Sequence, residues 1–163
     1  MRAWVDLHIH SCLSPCAEDE MTPWNLVGMA KVKGLDVIAV TDHNACGNVE
    51  EAIQAGAEYG VAVLCGMELN TREEVHALAY FPTLAQAQAA QKELYPFLPA
   101  VPNTPELFGN QLLIGEEDAV VGKEDKLLIS ALELSLDECA RLVTRHGGLL
   151  VPAWEVACIA RHG

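Results

Sequence analysis

The chain has 163 residues, of which 51% are hydrophobic and 20% are charged, a composition typical of a globular protein with one sizeable core. Its formal net charge is −13, which argues against a broad nucleic-acid surface because an acidic face repels the phosphate backbone. The six cysteines form no CxxC pair, and neither a leader peptide nor a membrane span is recognisable. We therefore expect a single domain over residues 1–163, located in the cytoplasm with reduced thiols and without membrane contact.

Strand and helix patterns alternate along the chain. Apolar runs predict strands, and amphipathic runs with capping residues predict helices. The predicted strands are residues 3–9, 35–40, 61–65, 75–81 and 149–151, and the predicted helices are residues 21–34, 48–60, 83–94 and 135–146. Residues 96–105 are predicted to be a proline-rich loop, and residues 111–114 and 119–121 are predicted to form a hairpin. This alternation favours a mostly parallel α/β sheet, either open or closed into a barrel.

Metal-binding residue types collect on the first strand. Asp6, His8 and His10 are spaced by two residues, which would place all three side chains on one face of a strand. An HxH pair alone occurs often by chance, so this stretch needs support from elsewhere in the chain.

That support comes from the following strands. The sequence TDHN at 41–44 follows the second predicted strand, Glu68 follows the third, and the fourth carries His76. Each feature alone has an ordinary explanation, such as a helix cap or a solvated acid. Ligands of parallel sheets bind at the carboxyl ends of the strands. The conjunction therefore predicts a site for Zn, Mn or Fe, built from His8, His10, Glu68 and some of His43 and His76.

These motifs resemble the PHP (polymerase and histidinol phosphatase) family. The resemblance rests on DLHIHS at 6–11, TDHN at 41–44, GMEL at 66–69 and the strand with His76. It implies a distorted (β/α)7 barrel that holds up to three metal ions. Many members hydrolyse phosphate monoesters, and others are exonuclease-like domains of bacterial DNA polymerase III.

The resemblance also implies roles for individual residues. His8 and His10 would bind a first metal, Glu68 would bridge the first and second, His76 would bind the second and His43 a third. A hydroxide held between two cations would attack phosphorus.

Three further residues are assigned roles beside these ligands. Cys16 occupies a place where the family often has a histidine or an acid, and a thiolate can bind zinc. Asp6 and Asp42 would orient imidazoles from behind the metal ligands. Arg72 is either a phosphate clamp or a surface residue.

Two departures from the family pattern concern the end of the chain. Trp154 stands where the family commonly has a histidine ligand, and an indole offers no lone pair to a metal. The terminal DxH pair of the family is absent, unless His162 replaces it. About five strands are too few to close a barrel, so we expect an incomplete distorted TIM-like barrel of the PHP type. Whether the chain is naturally short or truncated stays open.

Three functions are therefore considered. The first is a metal-dependent phosphoesterase acting on a small phosphorylated substrate. The second is a non-catalytic metal-binding or interaction module derived from such an enzyme, which Trp154 favours. A nuclease is the least supported, because no basic stripe accompanies the site. An exposed sheet edge after Val151 also predicts a homodimer or a poorly soluble monomer.

Overall fold

The structure is a computed structural model that describes residues 2–153, so Trp154 and His162 lie outside the described residues. The strands are β1 (Val5–Ile9), β2 (Val37–Val40), β3 (Ala62–Asn70), β4 (His76–Phe81), β5 (Leu112–Ile114), β6 (Val120–Lys123) and β7 (Leu149–Pro152). The α-helices are α1 (Pro23–Val32), α2 (Val49–Tyr59), α3 (Leu84–Leu94), α4 (Pro105–Phe108) and α5 (Leu136–Arg145). The predicted order of strands and helices is confirmed, and the predicted loop contains the start of α4.

The helix starts follow from local capping chemistry. The hydroxyls of Thr22 and Thr83 accept hydrogen bonds from backbone N–H groups in the first turns of α1 and α3. At α5, Ser135 and Glu138 form the predicted capping box, in which each side chain bonds the other residue's backbone N–H. Helix α2 ends at Gly60 in the left-handed conformation, which glycine adopts without steric cost.

The main sheet has five strands in the order β1-β2-β3-β4-β7. Strands β1, β2 and β3 are parallel, whereas β4 is antiparallel to both of its neighbours, β3 and β7. The expected parallel pairing therefore holds among β1, β2 and β3 but not for the two pairs that β4 makes. The short connection from Asn70 to His76 explains the difference, since a parallel pairing needs a crossover of a dozen or more residues.

Strand β3 is also longer than predicted. It continues past Cys65 to Asn70, so Glu68 lies within the strand rather than after its end. Its last residues are buried, and they pair with β4 in register, with Glu68 opposite Leu78 and Asn70 opposite His76. Because β4 runs in the opposite direction, its first residue lies at the same edge of the sheet as the carboxyl end of β3.

The two faces of the sheet have different surroundings. The helices cover one face, where Met67, Leu69 and Phe81 are almost fully buried in the main core. By register, the other face carries Leu64, Glu68 and Leu149, of which Leu64 is 40% and Leu149 is 62% exposed. The barrel is thus open in the described part of the chain, as expected for an incomplete PHP-type barrel.

The segment between α3 and α5 packs over the same edge of the sheet as Glu68 and His76. The predicted hairpin is formed by β5 and β6, and Leu112 donates its N–H to the carbonyl of Cys12. Within residues 2–153, no helix combines the length and the apolar character needed to cross a membrane.

Candidate metal centre

The carboxylate of Glu68 is the centre of the candidate site. Its Oε2 lies 3.0 Å from His8 Nε2 and 2.9 Å from His10 Nε2, and its Oε1 lies 2.8 Å from His76 Nδ1. His43 Nδ1 is 3.6 Å from Oε2. The five side chains predicted as ligands from the strand pattern are thus brought together by four separate elements.

Sheet geometry explains how distant parts of the chain meet here. His43 follows β2 and forms an isolated parallel bridge with Glu68 on β3. His76 begins β4 opposite Asn70, and the antiparallel register places it two residue pairs beyond Glu68 and therefore on the same face. The reversal of β4, which sequence reasoning missed, therefore brings His76 to Glu68.

The first strand contains an irregularity that separates Asp6 from the two histidines. Asp6 pairs with Ile38 and Ile9 pairs with Val40, with a register shift between them. Three residues on β1 thus match two on β2, so Asp6 and Ile9 face the same way and His8 faces the opposite side. The expectation that Asp6 shares the face of His8 and His10 is wrong. Its carboxylate accepts a hydrogen bond from the backbone N–H of His8, not from an imidazole.

Asp42 acts on His10 through a serine. The Asp42 carboxylate is fully buried and accepts hydrogen bonds from the Ser14 hydroxyl at 2.7 Å and from the Ser11 hydroxyl at 2.6 Å. Ser14 Oγ in turn lies 3.0 Å from His10 Nδ1. Burial raises the pKa of Asp42, while these hydrogen bonds favour its ionised form. Asp42 therefore positions an imidazole, but through Ser14 rather than directly.

Sequence reasoning missed Ser11 and Ser14. The signal available in the chain is two hydroxyl residues in SCLS at 11–14, directly after the HxH pair. Because Ser14 donates its single hydroxyl proton to Asp42, its oxygen accepts from His10. His10 then carries a proton on Nδ1, so Nε2, which faces Glu68, is the ring nitrogen that a metal ion could bind.

Charges at the centre favour a bound cation. Burial acts to raise the pKa of Glu68, but hydrogen bonds from His10 and His8 hold it well below its usual range, so the carboxylate is ionised at neutral pH. Burial acts to lower the pKa of His10, yet hydrogen bonds with Cys16 and Glu68 raise it to about 10. The ionised Glu68 carboxylate thus attracts a positive charge, and without a metal ion the proton on His10 supplies it.

The spacing of the donor atoms fits a metal ion. Ligand atoms at about 2.1 Å from one ion lie about 3.0–3.4 Å from one another, depending on the coordination number. His8 Nε2 lies 3.1 Å from His10 Nε2, and both are about as far from Glu68 Oε2. His43 is buried, and its Nδ1 has no hydrogen-bond partner. The residues present therefore fit a divalent metal, with imidazole and carboxylate ligands suited to Zn, Mn or Fe.

The two remaining predicted site residues differ in position. Cys16 is exposed, and its Sγ lies 3.4 Å from His10 Nδ1 and 3.6 Å from His43 Nε2, so the structure brings it to the centre. The side chain of Arg72 is largely exposed, and its guanidinium lies 4.0 Å from the Glu138 carboxylate on α5. Arg72 is thus directed towards a surface acid.

Comparison with known proteins assigns the chain to a family. The model of the PHP domain matches residues 6–148, which is most of the chain and includes every residue of the Glu68 cluster. The chain therefore belongs to the PHP domain family. The fold likewise matches a crystal structure assigned as a metal-dependent phosphoesterase from Bifidobacterium adolescentis. It does so with a TM-score of 0.62 and 22% identity, over 93% of this chain and 67% of the other.

Curated relatives align over shorter segments. A 3',5'-nucleoside bisphosphate phosphatase of Chromobacterium violaceum is 35% identical over 75 residues, which is 44% of this chain and 25% of that protein. A 5'-3' exoribonuclease of Haemophilus influenzae is 35% identical over 69 residues, 42% of this chain and 24% of that protein. The matched segments thus span about a quarter of the length of these relatives.

Proposed function

We propose that this protein is a metal-dependent phosphoesterase that hydrolyses a small phosphate ester. The observation that carries the proposal is the ionised, buried Glu68 carboxylate, which lies within 3.0 Å of three imidazoles from two other strands and the loop after β1. Membership of a family with phosphatase and nuclease relatives supports the class of reaction.

The residues of the cluster would form two metal-binding positions that share Glu68. His8 and His10 with Glu68 Oε2 would hold one divalent ion, and Glu68 Oε1 with His76 would hold a second. Such ions supply Lewis acidity and lower the pKa of bound water towards neutrality. Asp42 is a positioning residue in this scheme, because it orients His10 through Ser14 and does not reach the centre itself. The proposed phosphate contact of Arg72 stays a prediction.

The substrate is proposed to be small. A net charge of −13 disfavours long polyanions, whereas bound cations reverse the sign of the potential at the centre itself. The five free cysteines among residues 2–153 fit a reducing compartment, and we propose the cytoplasm.

Hydrolysis with a matched histidine control tests the proposal. Purified protein with Mn²⁺ or Zn²⁺ is expected to hydrolyse p-nitrophenyl phosphate or a 3',5'-nucleoside bisphosphate, and EDTA should abolish the activity. His8→Ala should lower kcat/KM by about 100-fold or more, because loss of an outer partner alone costs about 10- to 100-fold. His146→Ala is the control, since His146 lies outside the cluster and pairs with Glu93. Equal activity in wild type and His8→Ala would disprove the proposal.

A non-catalytic metal-binding module is the second candidate. The observation in its favour is the unclosed barrel, which leaves the Oε1 side of Glu68 with His76 as its one close imidazole in the described part of the chain. This candidate predicts at most one tightly bound ion by elemental analysis and no turnover above the His8→Ala variant.

A further inference from the structure

The irregularity in β1 lies directly at a proposed metal ligand. The register shift between Asp6 and Ile9 leaves Leu7 and His8 without a partner residue on β2. Backbone N–H and C=O groups that lose a partner in the sheet need another one, because an unpaired polar group inside a protein costs free energy. The hydrogen bonds that Leu7 and His8 make elsewhere therefore decide how firmly the His8 ring is held.

Two side chains supply the missing partners. The Asp6 carboxylate accepts the His8 N–H at 3.2 Å. The hydroxyl of Tyr80 on β4 donates to the Leu7 carbonyl at 2.7 Å. Burial raises the pKa of Tyr80, and the negative charges of Asp6 and Glu68 raise it further, so the hydroxyl stays protonated and remains a donor at neutral pH.

The Tyr80 side chain connects two strands that are not neighbours. By register Tyr80 lies opposite Leu149 on the open face of the sheet, and β2 and β3 lie between β4 and β1. Gly66 of β3 is the residue opposite Tyr80 on the other side, and a Cβ there would lie 2.8 Å from Thr41 Cγ2 and 3.3 Å from the Val40 carbonyl oxygen. The lack of a side chain at Gly66 thus lets the end of β2 approach β3 closely, which shortens the distance that Tyr80 spans.

This connection joins the strands of the two proposed metal positions. His8 directly follows Leu7, and His76 precedes Tyr80 by four residues on the same face of β4. His8 lies 3.0 Å from Glu68 Oε2, and His76 lies 2.8 Å from Glu68 Oε1. A closed circuit of chain and hydrogen bonds therefore runs from His8 through Tyr80 to His76 and back through Glu68.

We propose that Tyr80 is a positioning residue that holds His8 through the Leu7 carbonyl and so fixes the metal position at His8 relative to that at His76. Hydrogen bonds behind a metal ligand tune affinity, because they keep its donor atom at the coordination distance. The inference rests on the proposed function, since it concerns the same centre, but it requires metal binding and not turnover.

Removal of one hydroxyl tests this role. Tyr80→Phe keeps the ring, and we expect it to lower the affinity for the first Zn²⁺ by about 10-fold and to shift the visible absorption of Co²⁺ bound in the same position. Tyr95→Phe is the matched control, because the Tyr95 hydroxyl donates at 2.8 Å to Glu124, a carboxylate outside the Glu68 cluster. Both variants lose one hydrogen bond and some stability, but only Tyr80→Phe should change zinc titration and the cobalt spectrum.

The second side chain at the irregularity gives a rescue experiment. Asp6→Ala removes the acceptor of the His8 N–H and should also weaken Zn²⁺ binding, whereas Asp6→Asn keeps a side-chain oxygen and should retain most of the affinity. Because Tyr80 and Asp6 hold adjacent backbone groups, the losses in Tyr80→Phe and Asp6→Ala should not add in the double variant. Additive losses would count against the inference.

Two outcomes would overturn the role of Tyr80 outright. One is wild-type zinc affinity with an unshifted cobalt spectrum in Tyr80→Phe, and the other is an equal loss of affinity in Tyr95→Phe. Weaker metal binding in Tyr80→Phe without hydrolysis by the wild type would refute only the proposed function. Hydrolysis by the wild type with unchanged metal binding in Tyr80→Phe would refute only this inference.

Discussion

Ser14 connects the buried Asp42 to the imidazole of His10, a proposed metal ligand. Its hydroxyl donates to Asp42 and faces His10 Nδ1, and it also accepts the backbone N–H of His43. One small side chain thus sets the tautomer of one proposed ligand and the backbone position of another. Residues of this kind tune metal affinity without touching the ion.

Replacing this hydroxyl should weaken metal binding. Ser14→Ala is expected to lower the affinity for the first Zn²⁺ by about 10- to 100-fold and to destabilise the fold by about 1–3 kcal/mol, because Asp42 loses a buried donor. Isothermal titration and urea unfolding measure the two effects. Ser135→Ala is the matched control, since loss of the α5 cap costs about 1 kcal/mol but should leave zinc affinity unchanged. Unaltered zinc binding in Ser14→Ala would contradict the assigned role.

The buried and exposed cysteines should differ strongly in their reactivity towards alkylating reagents. Burial raises the pKa of Cys12 and Cys46 to about 12 and that of Cys139 to about 11, so these thiols stay protonated at neutral pH. Among the described cysteines, exposed Cys16 is expected to be alkylated first by iodoacetamide in the native protein, and Zn²⁺ should slow its reaction. Peptide mapping by mass spectrometry measures each site. Early labelling of Cys12 or Cys139 would show that the core opens readily.

At the scale of elements, α2 approaches the sheet through a glycine. A Cβ placed on Gly56 would lie 2.5 Å from the Val61 carbonyl oxygen and 2.8 Å from a Val63 methyl group. On α1, a Cβ on Gly28 would meet only the ring of Tyr59, at 3.7 Å. The two helices are neighbours, but only α2 needs a glycine for close packing against the start of β3.

Two alanine substitutions should therefore have opposite effects. Gly56→Ala is expected to destabilise the protein by about 1–3 kcal/mol because the backbone must shift. Gly28→Ala should stabilise it by about 0.5–1 kcal/mol through helix propensity. Urea unfolding of the metal-free protein compares them. Equal free energies of unfolding for the two variants would show that α2 adjusts without cost.

Elements with local signals were predicted well, and those that depend on pairing were not. Thr22, Thr83 and the Ser135 capping box mark helix starts, since a cap is made within four residues of chain. The direction of β4 and the end of β3 depend on hydrogen bonds between strands. For that reason the apolar run before Glu68 did not show where β3 stops.

For the whole molecule, the open sheet predicts self-association. Among residues 2–153, strands β1 and β7 are the two edges of the main sheet, and Val5 on β1 and Leu149 on β7 are more than half exposed. Exposed apolar edges pair with other chains. The crystal structure from Bifidobacterium adolescentis has a further third of chain without a counterpart here. Another polypeptide, such as a second copy, is proposed to cover these edges.

Sedimentation velocity tests this proposal. The protein is expected to dimerise with rising concentration, and Leu149→Lys should shift the equilibrium towards monomer. Val32→Lys is the control, because Val32 is exposed on helix α1 and not on either edge strand. A monodisperse monomer at every concentration would refute the proposal.

The sequence by itself determined the family, the order of strands and helices, and the residue types of the proposed ligands His8, His10, His43, Glu68 and His76. These features are local, since each follows from a few consecutive residues and their period. Only the tertiary structure decided that β4 reverses to bring His76 to Glu68, that the irregularity in β1 turns Asp6 away, and that Asp42 reaches His10 through Ser14. Each of these depends on hydrogen bonds between segments far apart in the chain, and such pairings are set by the register of the whole sheet.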